Sequence, residues 1–262
     1  MACRAVDTHA HLFLKEFEGQ WEAVTYRAQQ VCQAVLLPNL DTLSLPALLA
    51  LWRSAPDFYY GMVGLHPTHV REGFREELAQ LEKVLDAHPW VAIGEVGMDL
   101  YWDPSTRSWQ EEALHVQATW AQQRGLPLSI HFRQALDETL AVLRPFVGQV
   151  EGVFHCFTGR YEEAKRILDA GFHLGIGGVI TYRSAQPLRS AMQRLPLERL
   201  VLETDSPYLT PVPLRGRRNE SAYLTYIIKA IAELRDLPEA AIAEVTTQNA
   251  ARLFRLPLVG RT

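Results

Sequence analysis

The sequence predicts an α/β protein folded as a single-domain (β/α)8 barrel, and three observations carry that reading. Eight short apolar runs of strand length recur along the chain. Amphipathic segments or loops separate them, with no low-complexity tract or linker-like stretch to mark a domain boundary. Residues 8–16, directly after the first run, hold no glycine, whereas the competing doubly wound sheet needs a glycine-rich phosphate turn there. The expectation is one barrel over residues 1–262.

The strand-like runs begin with "AVDTHAH" (5–11), "QAVLLP" (33–38), "YYGMVGLHP" (59–67) and "VAIGEVG" (91–97). They continue with "LPLSIHF" (126–132), "EGVFHCF" (151–157), "FHLGIGG" (172–178) and "RLVLETD" (199–205). Between the third and fourth, "REELAQLEKVLDAH" (75–88) has helical periodicity, as does "YEEAKRILDA" (161–170) after the sixth. Gly125 follows "ATWAQQR" and Gly171 follows the 161–170 segment, each where a helix C-cap belongs. Two helical stretches, about 220–234 and 238–255, close the chain.

Composition sets outer bounds. At 262 residues, 48% hydrophobic and 21% charged, the chain has the material for a large core. No apolar run approaches the roughly 20 residues of a membrane span, and the polar cluster at residues 7–11 leaves no room for a secretory signal. Three cysteines (Cys3, Cys32, Cys156) without a C-x-x-C spacing argue against a disulfide framework and fit the cytoplasm. The net charge of −4 excludes a global basic field, so phosphate binding would need metal ions or a local patch.

In a barrel of this kind the reactive face lies at the C-terminal strand ends. Strand one ends in His9 and His11, strand three in His66, strand four in Glu95, strand five in His131, strand six in His155 and strand eight in Asp205. His69, His88, His115 and His173 fall elsewhere and read as loop, helix or buried structural residues. A single histidine at a strand end is usually structural. Five histidines and two carboxylates converging on one mouth are hard to explain by packing. Imidazole nitrogen and carboxylate oxygen together suit Zn²⁺, Mn²⁺, Fe²⁺ or hydrated Mg²⁺. Cys156 follows His155, so within a strand it should face away from the mouth and pack in the core. Four histidines with two carboxylates exceed what one catalytic ion with an open position requires and suit two ions sharing a carboxylate. No lysine lies at a strand end, which leaves Glu95 as the bridging candidate.

At this point "VDTHAHL", "GEVGMDLYW", "LPLSIHFRQA", "GVFHCFTG" and "LETDSPYLTPVPLRGRRNE" resemble, in order, the signatures of the TatD family of metal-dependent deoxyribonucleases, within the amidohydrolase-like hydrolases. The resemblance runs almost to the end, closing with "TTQNAARLF" (246–254). It implies two divalent ions, Mg²⁺ or Mn²⁺ foremost and Zn²⁺ as the other choice. By position it makes His9 and His11 ligands of the first ion, with Asp205 and Glu95 also in contact. Glu95 then bridges, His131 and His155 complete the second site, and His66 contacts phosphate or supports the ligands. Asp205 stands where a general base could take a proton from the attacking water.

Some positions depart from the family pattern. After His131 the usual Ser-Arg-Asp is replaced by Phe132, Arg133 and Gln134, so Arg133 can still meet a phosphate while its neighbours differ. Ser221 replaces a frequent proline, a change expected to be mild. Arg215, Arg217 and Arg218 form a basic cluster after strand eight, with Arg217 and Arg218 as substrate contacts, and Tyr101, Trp102 and Tyr208 could stack unpaired bases.

The expected activity is hydrolysis of DNA phosphodiester bonds, as a 3′-to-5′ exonuclease on single-stranded DNA in repair or degradation. No membrane and no obligatory protein partner is expected. The competing reading is a metal-dependent hydrolase of small amides, lactones or esters. A non-catalytic binding protein is disfavoured by the intact ligand positions.

Overall fold

Eight parallel strands pair strictly in chain order, each with the next. The computed structural model describes residues 4–258; residues 1–3 and 259–262, which include Cys3 and both ends of the expected 1–262 domain, lie outside the described residues. The first half runs β1 (Ala5–Asp7), α1 (Trp21–Gln29), β2 (Cys32–Leu37), α2 (Leu45–Ser54), β3 (Tyr59–Val63), α3 (Phe74–Glu82), β4 (Ala92–Asp99) and α4 (Arg107–Arg124). The second runs β5 (Leu128–Arg133), α5 (Leu136–Leu143), β6 (Gly152–Phe154), α6 (Tyr161–Asp169), β7 (His173–Ile176), α7 (Gln186–Met192), β8 (Leu200–Leu202), α8 (Leu224–Arg235) and α9 (Glu239–Leu253).

The ring closes between β1 and the end of β8. Thr8 N–H donates to the Leu202 carbonyl at 2.9 Å, and Ala10 bridges Ser206 in parallel. Asp7 reinforces the seam, its carboxylate accepting from Thr204 N–H at 2.9 Å and from the Thr204 hydroxyl at 2.6 Å. The predicted barrel is therefore the observed one.

Two cores follow from strand alternation. Val35 and Leu37 pack outward with the helices, whereas Ala34 and Leu36 join Val6, Met62, Val153 and Val201. This second cluster is completed by Leu253, Phe254 and Leu256, so the end of α9 and the chain after it seal it. Asn249 anchors α9 by donating to the carbonyls of Leu197 (2.7 Å) and Leu200 (2.8 Å), at the start of β8.

Strands are shorter than the apolar runs. β1 stops at Asp7 rather than residue 11, β6 at Phe154 rather than 157, and β8 at Leu202 rather than 205. Past those points side chains take over the backbone hydrogen bonds, as Asp7 does for Thr204. The helix expected over 75–88 ends at Glu82, because the chain tightens into turns at Val84 and Leu85 and the Trp90 indole N–H captures the Val84 carbonyl at 2.8 Å. The last two helices begin at Leu224 and Glu239, and Gly125 caps α4 in the left-handed conformation, φ +61°. Cys156 is not a core strand residue as expected. It lies beyond β6, half-buried, with φ +50°, and its N–H donates to the Glu203 carboxylate. Among the described residues, no helix is long and apolar enough to cross a membrane.

Candidate metal centre

The C-terminal strand ends converge on one buried carboxylate, Glu95. β4 carries it, with a shift of register between Ile93 and Val96. The β2–α2 loop fixes its backbone: Glu95 N–H donates to the Asn39 carbonyl at 2.9 Å, and Asn39 N–H to the Gly94 carbonyl at 3.1 Å. Two residues on, Gly97 has φ +137°, and a Cβ there would fall 1.9 Å from the His131 carbonyl oxygen. Only glycine lets β4 approach β5 this closely beside His131.

The two oxygens of Glu95 face different histidines. Oε2 lies 3.2 Å from His9 Nε2 and 3.3 Å from His11 Nε2. Oε1 lies 2.8 Å from His155 Nε2, 3.0 Å from His131 Nδ1 and 3.1 Å from His66 Nε2. Asp205 joins the first set, its Oδ1 being 3.6 Å from His11 Nε2 and 3.9 Å from His9 Nε2. It sits in the left-handed region at φ +56°, which aspartate tolerates better than most residues, and its N–H donates to the His9 carbonyl at 2.9 Å. The closing seam of the barrel thus places His9, His11 and Asp205 together.

Hydrogen bonds on the far ring nitrogens sort the histidines. His131 Nε2 lies 2.9 Å from Asp99 Oδ2, so it donates there and turns the Nδ1 lone pair inward. His9 Nδ1 is 3.2 Å from the Ser129 hydroxyl, and His155 Nδ1 faces Glu203 Oε1 at 3.6 Å. His66 is reversed. Its Nδ1 accepts the Thr68 N–H at 3.2 Å, so the neutral ring carries its proton on Nε2 and donates to Glu95.

Electrostatics follow from this packing. Burial alone would raise the Glu95 carboxyl, but His66, His155 and His9 hold it well below the usual range. Burial works against a charge on His155, yet Glu95 and Glu203 raise its pKa well above normal. Burial also opposes a charge on His131, and Asp99 and Glu95 outweigh it and raise the pKa. Burial lowers His66 to about 4 and, with the charge of His155, depresses His9 strongly. Burial raises Asp205 to about 6 against the pull of His155 and His11. The pocket therefore demands positive charge around Glu95, a demand that divalent cations would meet.

Three donor groups have the spacing of metal ligands: His9, His11 and Asp205; His66, Glu95 and His131; His9, His155 and Glu203. The donor set is nitrogen and oxygen without sulfur, and it fits hard or borderline divalent ions. Every histidine and carboxylate singled out at a strand end reaches this cluster. Asp99, Ser129 and Glu203 were not singled out. Glu203 is legible in "LETD", where it alternates with Asp205 as His9 does with His11. Gly175 makes room for it, since a Cβ there would lie 2.2 Å from Glu203 Oε2.

The arginines are placed differently from one another. Arg133 lays its guanidinium over the Tyr101 ring, 3.8 Å from the centroid. Arg217 is exposed. Arg218 is engaged by the Glu16 carbonyl, by Gln20 Oε1 at 3.0 Å and by the Phe17 ring at 4.4 Å. Tyr208 is half exposed beside His11, with ring centroids 6.4 Å apart.

Comparison with known proteins agrees with the site. Residues 6–255 match the family described as TatD related DNase. An uncharacterized metal-dependent hydrolase, YabD of Bacillus subtilis (strain 168), is 35% identical over 252 residues, spanning 95% of this chain and 98% of that protein. A protein named 3′-5′ ssDNA/RNA exonuclease TatD, from Edwardsiella piscicida, is 34% identical over 258 residues, spanning 96% and 99%. The crystal structure of YJJV, a TatD homolog from Escherichia coli K12, superposes with a TM-score of 0.91 at 31% identity, covering 98% of this chain and all of that one (100%). The chain belongs to the TatD family of metal-dependent hydrolases.

Proposed function

We propose that this protein hydrolyses phosphodiester bonds of single-stranded DNA from the 3′ end, with two divalent cations bridged by Glu95. The observation that carries the reading is the division of Glu95, with Oε2 facing His9 and His11 while Oε1 faces His131 and His155. In this proposal His9, His11 and Asp205 hold one ion, His131 and His155 the other, and Mg²⁺ or Mn²⁺ suits both, with Zn²⁺ as the alternative. Bound ions would polarise the phosphoryl group and stabilise the attacking and leaving oxygens of an in-line displacement.

The chain's own groups supply the rest. Asp205 takes the proton of the attacking water as general base. His66 is a donor rather than a ligand: its inward nitrogen bears the hydrogen, which suits a phosphate oxygen. Arg133 and Arg217 contact phosphates, compensating for a net charge of −4. The name of the Edwardsiella piscicida relative supports a 3′-to-5′ direction on single strands. Free Cys32 and Cys156 are compatible with a cytoplasmic role in DNA repair or degradation.

The test incubates purified protein with 5′-labelled single-stranded DNA and with a lactone panel, under Mg²⁺, Mn²⁺ or Zn²⁺ and with chelator. Progressive shortening from the 3′ end that is abolished by chelator is the expected result. Lactone turnover with intact DNA would replace this reading by the small-substrate hydrolase.

A further inference from the structure

Asp99 divides its carboxylate between the metal-type cluster and the rim of the mouth. Oδ2 lies 2.9 Å from His131 Nε2, while Oδ1 accepts the backbone N–H groups of Tyr101 at 3.0 Å and Trp102 at 3.1 Å. The residue is 1% exposed, so one buried anion fixes a ligand-type imidazole and the tip of the β4–α4 loop together. That tip carries two large aromatic rings into solvent: Tyr101 is 47% exposed and Trp102 68%. Their rings meet edge to face, 5.1 Å apart at 84°. Arg133 is the register partner of Asp99 on β5, and its guanidinium covers one face of Tyr101.

An exposed tryptophan alone means little. Here the indole stands on a loop held to the cluster by hydrogen bonds, beside a guanidinium that uses its flat face on Tyr101 and keeps its in-plane N–H groups for an anion. An aromatic plane beside a cation, near a phosphate-cleaving centre, is what a stacked base followed by its phosphate requires. We propose that Trp102, supported by Tyr101 and Asp99, is a stacking subsite for an unpaired nucleobase of the DNA strand, with Arg133 on the adjacent phosphate. The inference rests on the DNA-hydrolysing function proposed above. Since every base has a π face, the subsite senses the presence of a base rather than its identity.

The test compares the metal-loaded protein with Trp102→Ala and Trp102→Phe on single-stranded oligonucleotides. One set is intact, another carries an abasic nucleotide in turn at each of the last three 3′ positions, and a third is abasic throughout. Trp102→Ala should raise KM on intact strands about 5- to 100-fold, with kcat within twofold and metal content unchanged; Trp102→Phe should recover most of the loss. At one abasic position the unsubstituted protein should lose a similar factor, whereas Trp102→Ala should not distinguish that strand from an intact one. On the fully abasic strand the proteins should be equal. Equal KM on intact strands, or a base-to-abasic ratio unchanged by Trp102→Ala, overturns the subsite while leaving the hydrolytic function in place. If the unsubstituted protein cleaves no oligonucleotide, the function proposed above fails and the subsite falls with it.

Discussion

The imidazoles of His9 and His155 lie face to face, 3.9 Å between centroids and 6° from parallel. The stack lets the first and sixth strands present two rings side by side while each directs Nε2 to a different oxygen of Glu95. Two adjacent but separate donor sets follow from this arrangement.

Asp205 is placed to move a proton. Asp205→Asn should keep the fold, since the backbone N–H to His9 is retained, and should lower DNA turnover by about 10²-fold or more. Steady-state kinetics at fixed Mn²⁺ reads this. Unchanged turnover in the folded variant removes Asp205 from the mechanism.

Asp99 orients His131 through Nε2. Asp99→Asn places an amide donor or an amide oxygen opposite that nitrogen and weakens the preference for Nδ1 as the inward lone pair. Loss of such a partner costs about 10- to 100-fold in metal affinity or activity. Calorimetric titration with Mn²⁺ should find one of the two binding events weakened. Two events of undiminished affinity would show that His131 needs no such partner.

Arg217 and Arg218 should separate on mutation. Arg217→Ala should raise KM for oligonucleotides and reduce the salt slope by roughly 0.7, one phosphate contact on a single strand. Arg218 already binds Glu16, Gln20 and Phe17, so Arg218→Ala should lower thermal stability with little change in slope. The same loop is secured by Asn219, which donates to the carbonyls of Thr204 at 2.8 Å and Tyr208 at 2.6 Å. A KM and slope untouched by Arg217→Ala would place the polymer track elsewhere.

His173 should make the fold acid-sensitive. It is buried at the start of β7; burial, with Arg199 and Arg252 nearby, lowers its pKa to about 4 from an ordinary 6.5. The unfolded chain therefore binds the proton first as pH falls. His173 costs nothing above about pH 6.5, and stability declines from there towards pH 4, by up to about 3 kcal/mol. Urea midpoints at pH 7 and pH 4.5 should differ less in His173→Phe than in the unsubstituted protein. An equal difference would assign the acid sensitivity to other groups.

The sequence was most legible where residue type and strand position coincide. His9, His11, His66, Glu95, His131, His155 and Asp205 each follow an apolar run, and the eight runs close in chain order. Strand ends were overestimated because periodicity records which way side chains point. It does not record where Asp7 or Asn39 replaces a ladder bond. Asp99 and Glu203 were missed for a related reason, since an acid inside a strand pattern declares its partner only when the neighbouring strand is in register. The split roles of Arg217 and Arg218 depend on what the first loop brings near them, which adjacent positions in a sequence cannot express.

The central claim is a pair of ions sharing Glu95. Crystals soaked in Mn²⁺ and measured at the manganese absorption edge test it directly. Two anomalous peaks about 3.5–4 Å apart, one beside His9, His11 and Asp205 and one beside His131 and His155, with both lost in Glu95→Ala, are the predicted result. A single peak, or two that persist in Glu95→Ala, would contradict it.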